Sequence, residues 1–179
     1  MGKSKKRAVH WYRWVVAFML LLASSCGKSF LSDVDLEPLL IRPGDLPDEL
    51  TPGAVRVIEP DPEVLCHDQA LEQKIVTKDG TLAGSVQVYL FRSKANRDRA
   101  YDLFSLVESQ EGIDPYPVPL IGDSVSARYV DEGLEVVFVR CYAVAVIWLK
   151  TVRDYTFRAD DVVQYAQQLD QRLVSEVCP

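Results

Sequence analysis

SVSARYV DEG LEVVFVR CY AVAVIWLKTV, residues Ser124 to Val152, is three extended runs separated by two short breaks. Runs rich in Val and aromatic residues, bounded by turn chemistry, read as strands. Asp131-Glu132-Gly133 and Cys141-Tyr142 leave room only for tight turns, so Ser124–Val130, Leu134–Arg140 and Ala143–Val152 are antiparallel neighbours. Val144 to Leu149 is apolar on both faces, which marks a central strand covered on each side.

Upstream, Ala70–Thr77 and Leu82–Phe91 flank Lys78-Asp79-Gly80-Thr81, and Asp-Gly between two such runs is a hairpin signal. Val86, Val88 and Leu90 share one face of the second arm, with Gln87 and Tyr89 on the other. Ser93 caps a helix reaching about Ser109, with Ala100, Tyr101, Phe104 and Val107 inward and Lys94, Arg97 and Arg99 outward. The proline-rich stretch from Gly112 to Gly122 breaks it into a long loop. Downstream, Asp160 to Val177 is an amphipathic helix with Val162, Tyr165, Ala166, Leu169, Leu173 and Val177 on one face.

The order β-β-α-β-β-β-α predicts an α+β domain, an antiparallel sheet of about five strands with two amphipathic helices packed on it. Ala54 to Ile58 reads as a short extra leading strand, outside that count. Residues 36–53, with Pro43-Gly44 and Thr51-Pro52-Gly53, read as an ordered loop whose Leu39, Leu40, Leu46 and Leu50 cap the core.

The N-terminus is of another kind. Lys3, Lys5, Lys6, Arg7 and Arg13 precede an apolar run closed by Leu22-Ala23-Ser24-Ser25-Cys26, with no acid before Cys26. A basic region, a short apolar core and a small-residue exit describe a secretory signal. Trp14 to Ala23 falls short of the roughly 20 residues that a permanent span requires. Leu22–Cys26 resembles the lipobox of bacterial lipoproteins, with Ala23 where most carry Leu. That resemblance implies acylation of Cys26 and cleavage before it. Cleavage by the general signal peptidase near Ala23-Ser24-Ser25, and an uncleaved Trp11–Ala23 anchor, are the competing readings. The expected organisation is therefore a signal peptide over 1–25, a lipidated N-terminus and tether over 26–37, and one domain over 38–179. The expected location is the extracytoplasmic side of the cell membrane, with the bilayer as partner through Cys26.

The signal holds five of the 20 basic residues and none of the 26 acids, so the mature chain carries a net charge of −11. Such a surface repels polyanions, and no nucleic-acid partner is expected.

Candidate chemistry is sparse. Glu63, Cys66, His67, Asp68 and Glu72 are residue types that ligate divalent ions, and His67 is the only histidine after the signal. Adjacent Cys66 and His67 lack the i, i+3 or i, i+4 spacing of recurrent ligand pairs, so no metal or cofactor is assigned. Gly122-Asp123-Ser124-Val125 resembles the nucleophile block of GDS-type esterases, but no histidine follows His67 to activate Ser124. It reads instead as a turn that starts a strand. Tyr116, Tyr142, Tyr155 and Phe157 are candidates for a ligand groove or for the core.

With Cys26 assigned to lipid, Cys66, Cys141 and Cys178 remain, enough for one bridge and one leftover thiol. Ala143–Val152 runs about 33 Å from Cys141 at ~3.3 Å per residue. The closing helix returns about 27 Å at ~1.5 Å per residue, which brings Cys178 back to Cys141 if it packs antiparallel on that strand. Cys66 precedes a strand expected to begin at the opposite end of the sheet, if the first helix returns the chain. Cys66–Cys178 is the alternative pairing, and three free thiols the other.

The whole pattern resembles small exported lipoproteins with a PsbP/Mog1-like domain, on element order and on the late helix ending near Cys178. The resemblance implies a non-enzymatic interaction or ligand-binding role. The alternative is a hydrolase or metal-dependent enzyme using His67 with Cys66 and Asp68.

Overall fold

The computed structural model describes residues 34–60, 65–105, 115–130 and 132–178. The signal, Cys26 and Glu63 lie outside them. Strands β1 (Leu50–Val57), β2 (Gln69–Thr77) and β3 (Leu82–Leu90) precede helix α1 (Lys94–Ser105). Strands β4 (Ser124–Val130), β5 (Gly133–Arg140) and β6 (Ala143–Lys150) precede helix α2 (Ala159–Glu176). All six strands form one antiparallel sheet in the order β1-β2-β3-β6-β5-β4. The fold is α+β, as expected, and β6 is central.

The sixth strand corrects the count of about five. Thr51-Pro52-Gly53 is not a turn but part of β1, where the register against β2 shifts between Pro52 and Val55. Proline is tolerated there because β1 is an edge strand and its outward side needs no donor. The cap loop is correspondingly shorter. Its Leu36, Leu39 and Ile41 are buried, so it caps the core as expected. Ile41 N–H donates to Gln73 Oε1 at 2.7 Å, and Arg172 of α2 reaches Leu40 O at 3.1 Å and Asp45 Oδ1 at 2.6 Å.

The two helices cover opposite faces. Helix α2 lays Val162, Tyr165, Ala166, Leu169 and Leu173 on Leu134, Val136, Phe138, Ala145, Ile147 and Leu149. Each fully buried Leu of that set contributes about 1.5–3 kcal/mol over leaving it in water. Helix α1 is capped by Ser93, whose Oγ accepts Asn96 N–H at 3.2 Å. It ends at Ser105 among the described residues, and it packs Ala100, Tyr101 and Phe104 on Ala70, Tyr89, Phe91, Val139 and Val144. The two-sided apolar run of β6 follows from this double cover.

Arg97 is a second correction: expected outside, it is buried. Its Nη1 donates to Cys141 O and stands 3.5 Å from Asp123 Oδ2. Cys141 holds a left-handed φ of 53° in the β5–β6 turn, a conformation that L residues seldom adopt. Asp123 Oδ2 accepts its N–H at 3.1 Å, so both polar groups of this strained residue are engaged.

Cys141 and Cys178 are joined, with Cα atoms 5.5 Å apart. The expected position of Cys66 is overturned. Gln69 pairs with Leu90, and Leu90 with Ala143, so β2 begins at the Cys141 end of the sheet. The assumption that failed is that β4 starts where the chain has returned after α1. Tyr116 N–H bonds Ala127 O at 2.9 Å and Pro115 bridges Arg128, so residues before β4 run back along it and restore the end at which β3 stopped. No described cysteine is free, so Cys66 is not a leftover thiol.

Candidate functional site

The residues singled out in the sequence do not gather into one centre. His67 is buried and its Nε2–H donates to Ile58 O at 3.0 Å, which leaves Nδ1 as a buried acceptor without a partner among the described residues. Asp68 Oδ1 accepts from Arg92 at 3.3 Å. Glu72 points to Arg56 and to Gln87, whose Nε2 donates to Oε1 at 3.2 Å. Among the described residues no three His, Cys, Asp or Glu side chains stand together as a metal set. With Cys66 not free, its thiol is not on offer as a nucleophile. Glu63 lies outside the described residues.

Ser124 opens β4, and Asp123 Oδ1 accepts from Arg140 at 3.3 Å besides its bond to Cys141. The Asp123-Ser124 pair thus works as turn and strand start. Tyr116, Tyr142, Tyr155 and Phe157 pack against the apolar core under α2, and of the four Tyr155 also lines a surface cavity with Glu49, Arg153, Asp154, Thr156 and Arg158. Burial pushes the Tyr155 phenol up, helped by its hydrogen bond to Asp161.

What the fold does assemble is a polar band across the α1 face of the sheet. From one edge, Arg56 faces Glu72, Glu72 is opposite Gln87, and Gln87 Oε1 accepts Tyr89 O–H at 2.8 Å. Tyr89 then meets His67 edge-on at 5.4 Å and Phe104 of α1 at 5.2 Å. Burial, with Glu72 nearby, pushes the Tyr89 phenol up to about 12.

On the other half of the band, β4, β5 and β6 set Arg128 opposite Glu135 and Glu135 opposite Trp148. Arg128 Nη2 donates to Glu135 Oε1, while Nε and Nη1 are buried without partners among the described residues. Trp148 Nε1 is likewise buried and unpartnered, and Lys150 Nζ stands 5.3 Å from the centre of the indole ring. Each unsatisfied buried donor costs about 1–3 kcal/mol, more when charged. Burial raises the Glu135 carboxyl against the pull of Arg128.

None of Arg56, Gln87, Tyr89, Arg128, Glu135 or Trp148 stood out in the sequence as a site residue. One signal was there for Arg128 and Glu135. The short Asp131-Glu132-Gly133 turn fixes which residues face each other, so a basic and an acidic residue interrupting two apolar strands had to be partners. No described helix is long and apolar enough to cross a membrane. No family model, curated protein or solved structure matches the chain.

Proposed function

We propose that this chain is an extracytoplasmic lipoprotein: a non-enzymatic interaction or ligand-binding domain tethered to the cell membrane through acylated Cys26. The observation that carries the tether is Leu22-Ala23-Ser24-Ser25-Cys26 behind a basic leader free of acids. A single acyl chain binds membranes only marginally, whereas two or more hold a protein stably. For the binding role, support comes from the polar band with its unpartnered donors. Element order supports the likeness to PsbP/Mog1-like domains.

Mass spectrometry of the membrane fraction tests the anchor. A mature N-terminus at an acylated Cys26 is expected, and Cys26→Ser is expected to leave the protein unacylated. A chain starting at Met1, a soluble unmodified chain, or a peptide joining Cys26 to Cys66 through a disulfide overturns it. A thioether and a disulfide need the same sulfur, so the last outcome excludes acylation in that molecule. Stoichiometric zinc, or a hydrolysis lost in His67→Ala, replaces the non-enzymatic reading with an enzymatic one.

A further inference from the structure

Three buried nitrogens without partners among the described residues lie in one register row, and all three are donors: Arg128 Nε and Nη1, and Trp148 Nε1. Arg128 is only 7% exposed, so solvent does not satisfy it as it would a surface arginine. Glu135 sits between the two but already accepts from Nη2. Lys150, half-buried beside the indole, has no carboxylate partner among the described residues. With Glu135 ionised, Arg128 and Lys150 leave the row one positive charge in excess among the described residues. The row also lies beyond the apolar cluster that α1 covers. A charged donor set with a surplus cation calls for an acceptor that carries negative charge.

We propose that this row binds a carboxylate group of a ligand. Arg128 Nε and Nη1 and Trp148 Nε1 donate to its oxygens, and Lys150 supplies positive potential at the more open side. Arg128 and Trp148 stand two strand spacings apart, about 10 Å between their Cα atoms. A guanidinium on a long stem and an indole project from the same face over Glu135, and a planar oxyanion matches the flat edge of the guanidinium. The proposal rests on the ligand-binding reading above and is independent of the anchor.

The test is an NMR titration of the full chain labelled with 15N at tryptophan. The Trp148 indole signal is assigned as the one missing in Trp148→Phe. Sodium acetate and sodium phosphate are the probes, at an ionic strength held constant with sodium chloride. Expected is a saturable shift of the Trp148 indole with acetate, absent in Arg128→Gln and weaker in Lys150→Gln. Arg128→Gln leaves Glu135 buried without its partner and risks misfolding. The paired variant Arg128→Gln/Glu135→Gln keeps a neutral hydrogen-bonded couple and is expected to lose the shift while its other amide signals stay dispersed. No saturable movement with acetate, an equal movement with chloride, or a shift that survives in the paired variant overturns the site. Saturation with phosphate alone overturns the carboxylate assignment. None of these results bears on the acylation of Cys26, which mass spectrometry reads separately.

Discussion

Tyr165 and Arg97 each carry a polar group into the buried face of a helix. Tyr165 is 1% exposed, its ring is part of the core under α2, and its hydroxyl has no hydrogen-bond partner among the described residues. Burial pushes its phenol up. The aromatic body contributes packing while the oxygen carries a desolvation cost of about 1–3 kcal/mol. Tyr165→Phe is therefore expected to leave stability unchanged or raise it by about 1 kcal/mol in urea unfolding. A loss of more than about 1 kcal/mol would mean that the hydroxyl has a partner after all. Arg97 is the reverse case, a charge drawn inward because the Cys141 carbonyl and Asp123 await it. Its side chain is mostly buried while that of Asp98, its other partner, is 59% exposed, so the contact with the strained turn sets its position.

The β2–β3 hairpin was readable as an element because its turn chemistry is local. Gly80, with φ of 88°, supplies the left-handed conformation the turn requires. Gly80 N–H bonds Thr77 O at 2.9 Å, and Thr77 N–H bonds Thr81 O at 2.9 Å. Asp79 accepts from the Thr77 hydroxyl and from Thr81 N–H. Those bonds, the Thr77 hydroxyl first, lower its carboxyl to about 2. A carboxyl depressed in the folded state supports the turn above the unfolded value near 4, and that support fades as pH falls through about 2. The Thr81 amide is expected to titrate with a midpoint near pH 2. A midpoint at the ordinary Asp value, about 4, would show that the turn bonds do not hold the charge. Helix α1 was less readable as an element, because Arg97 shares a face with Ala100, Tyr101 and Phe104 by helical spacing while its charge argues for the outside.

Across the whole molecule, the Cys141–Cys178 bond links the β5–β6 turn to the end of α2 over 37 positions. Closing such a loop restricts the unfolded chain and adds roughly 3–4 kcal/mol in the chain-entropy account. The Cys141→Ser/Cys178→Ser pair is expected to lose about that much in urea unfolding, with the strand signals of the folded state retained. A loss well under 1 kcal/mol would place the stability of the α2 end in its apolar seam with Leu134, Val136 and Phe138 rather than in the bond. The expected pairing rested only on the lengths of one strand and of one helix packed antiparallel on it. The expectation for Cys66 rested on a longer path, through α1 and the loop after it, and failed there.

What the sequence determined by itself was the set of elements whose code is local. Alternation in the strands, Asp-Gly at one turn and the apolar stripe of α2 all act within a few residues of one another. The central place of β6 was legible too, since only a doubly covered strand stays apolar on both faces. Only the tertiary structure decided that β1 is a full edge strand, because the proline and glycine that read as a turn are harmless where no neighbour needs a donor. It also decided that the helices take opposite faces and that β4 starts where β3 stopped, since chain direction after a long loop leaves no periodic trace. The polar band is of the same kind. Arg56, Glu72, Gln87 and Tyr89, and Arg128, Glu135 and Trp148, become neighbours through strand pairing, and pairing across β3 and β6 joins residues about 60 positions apart.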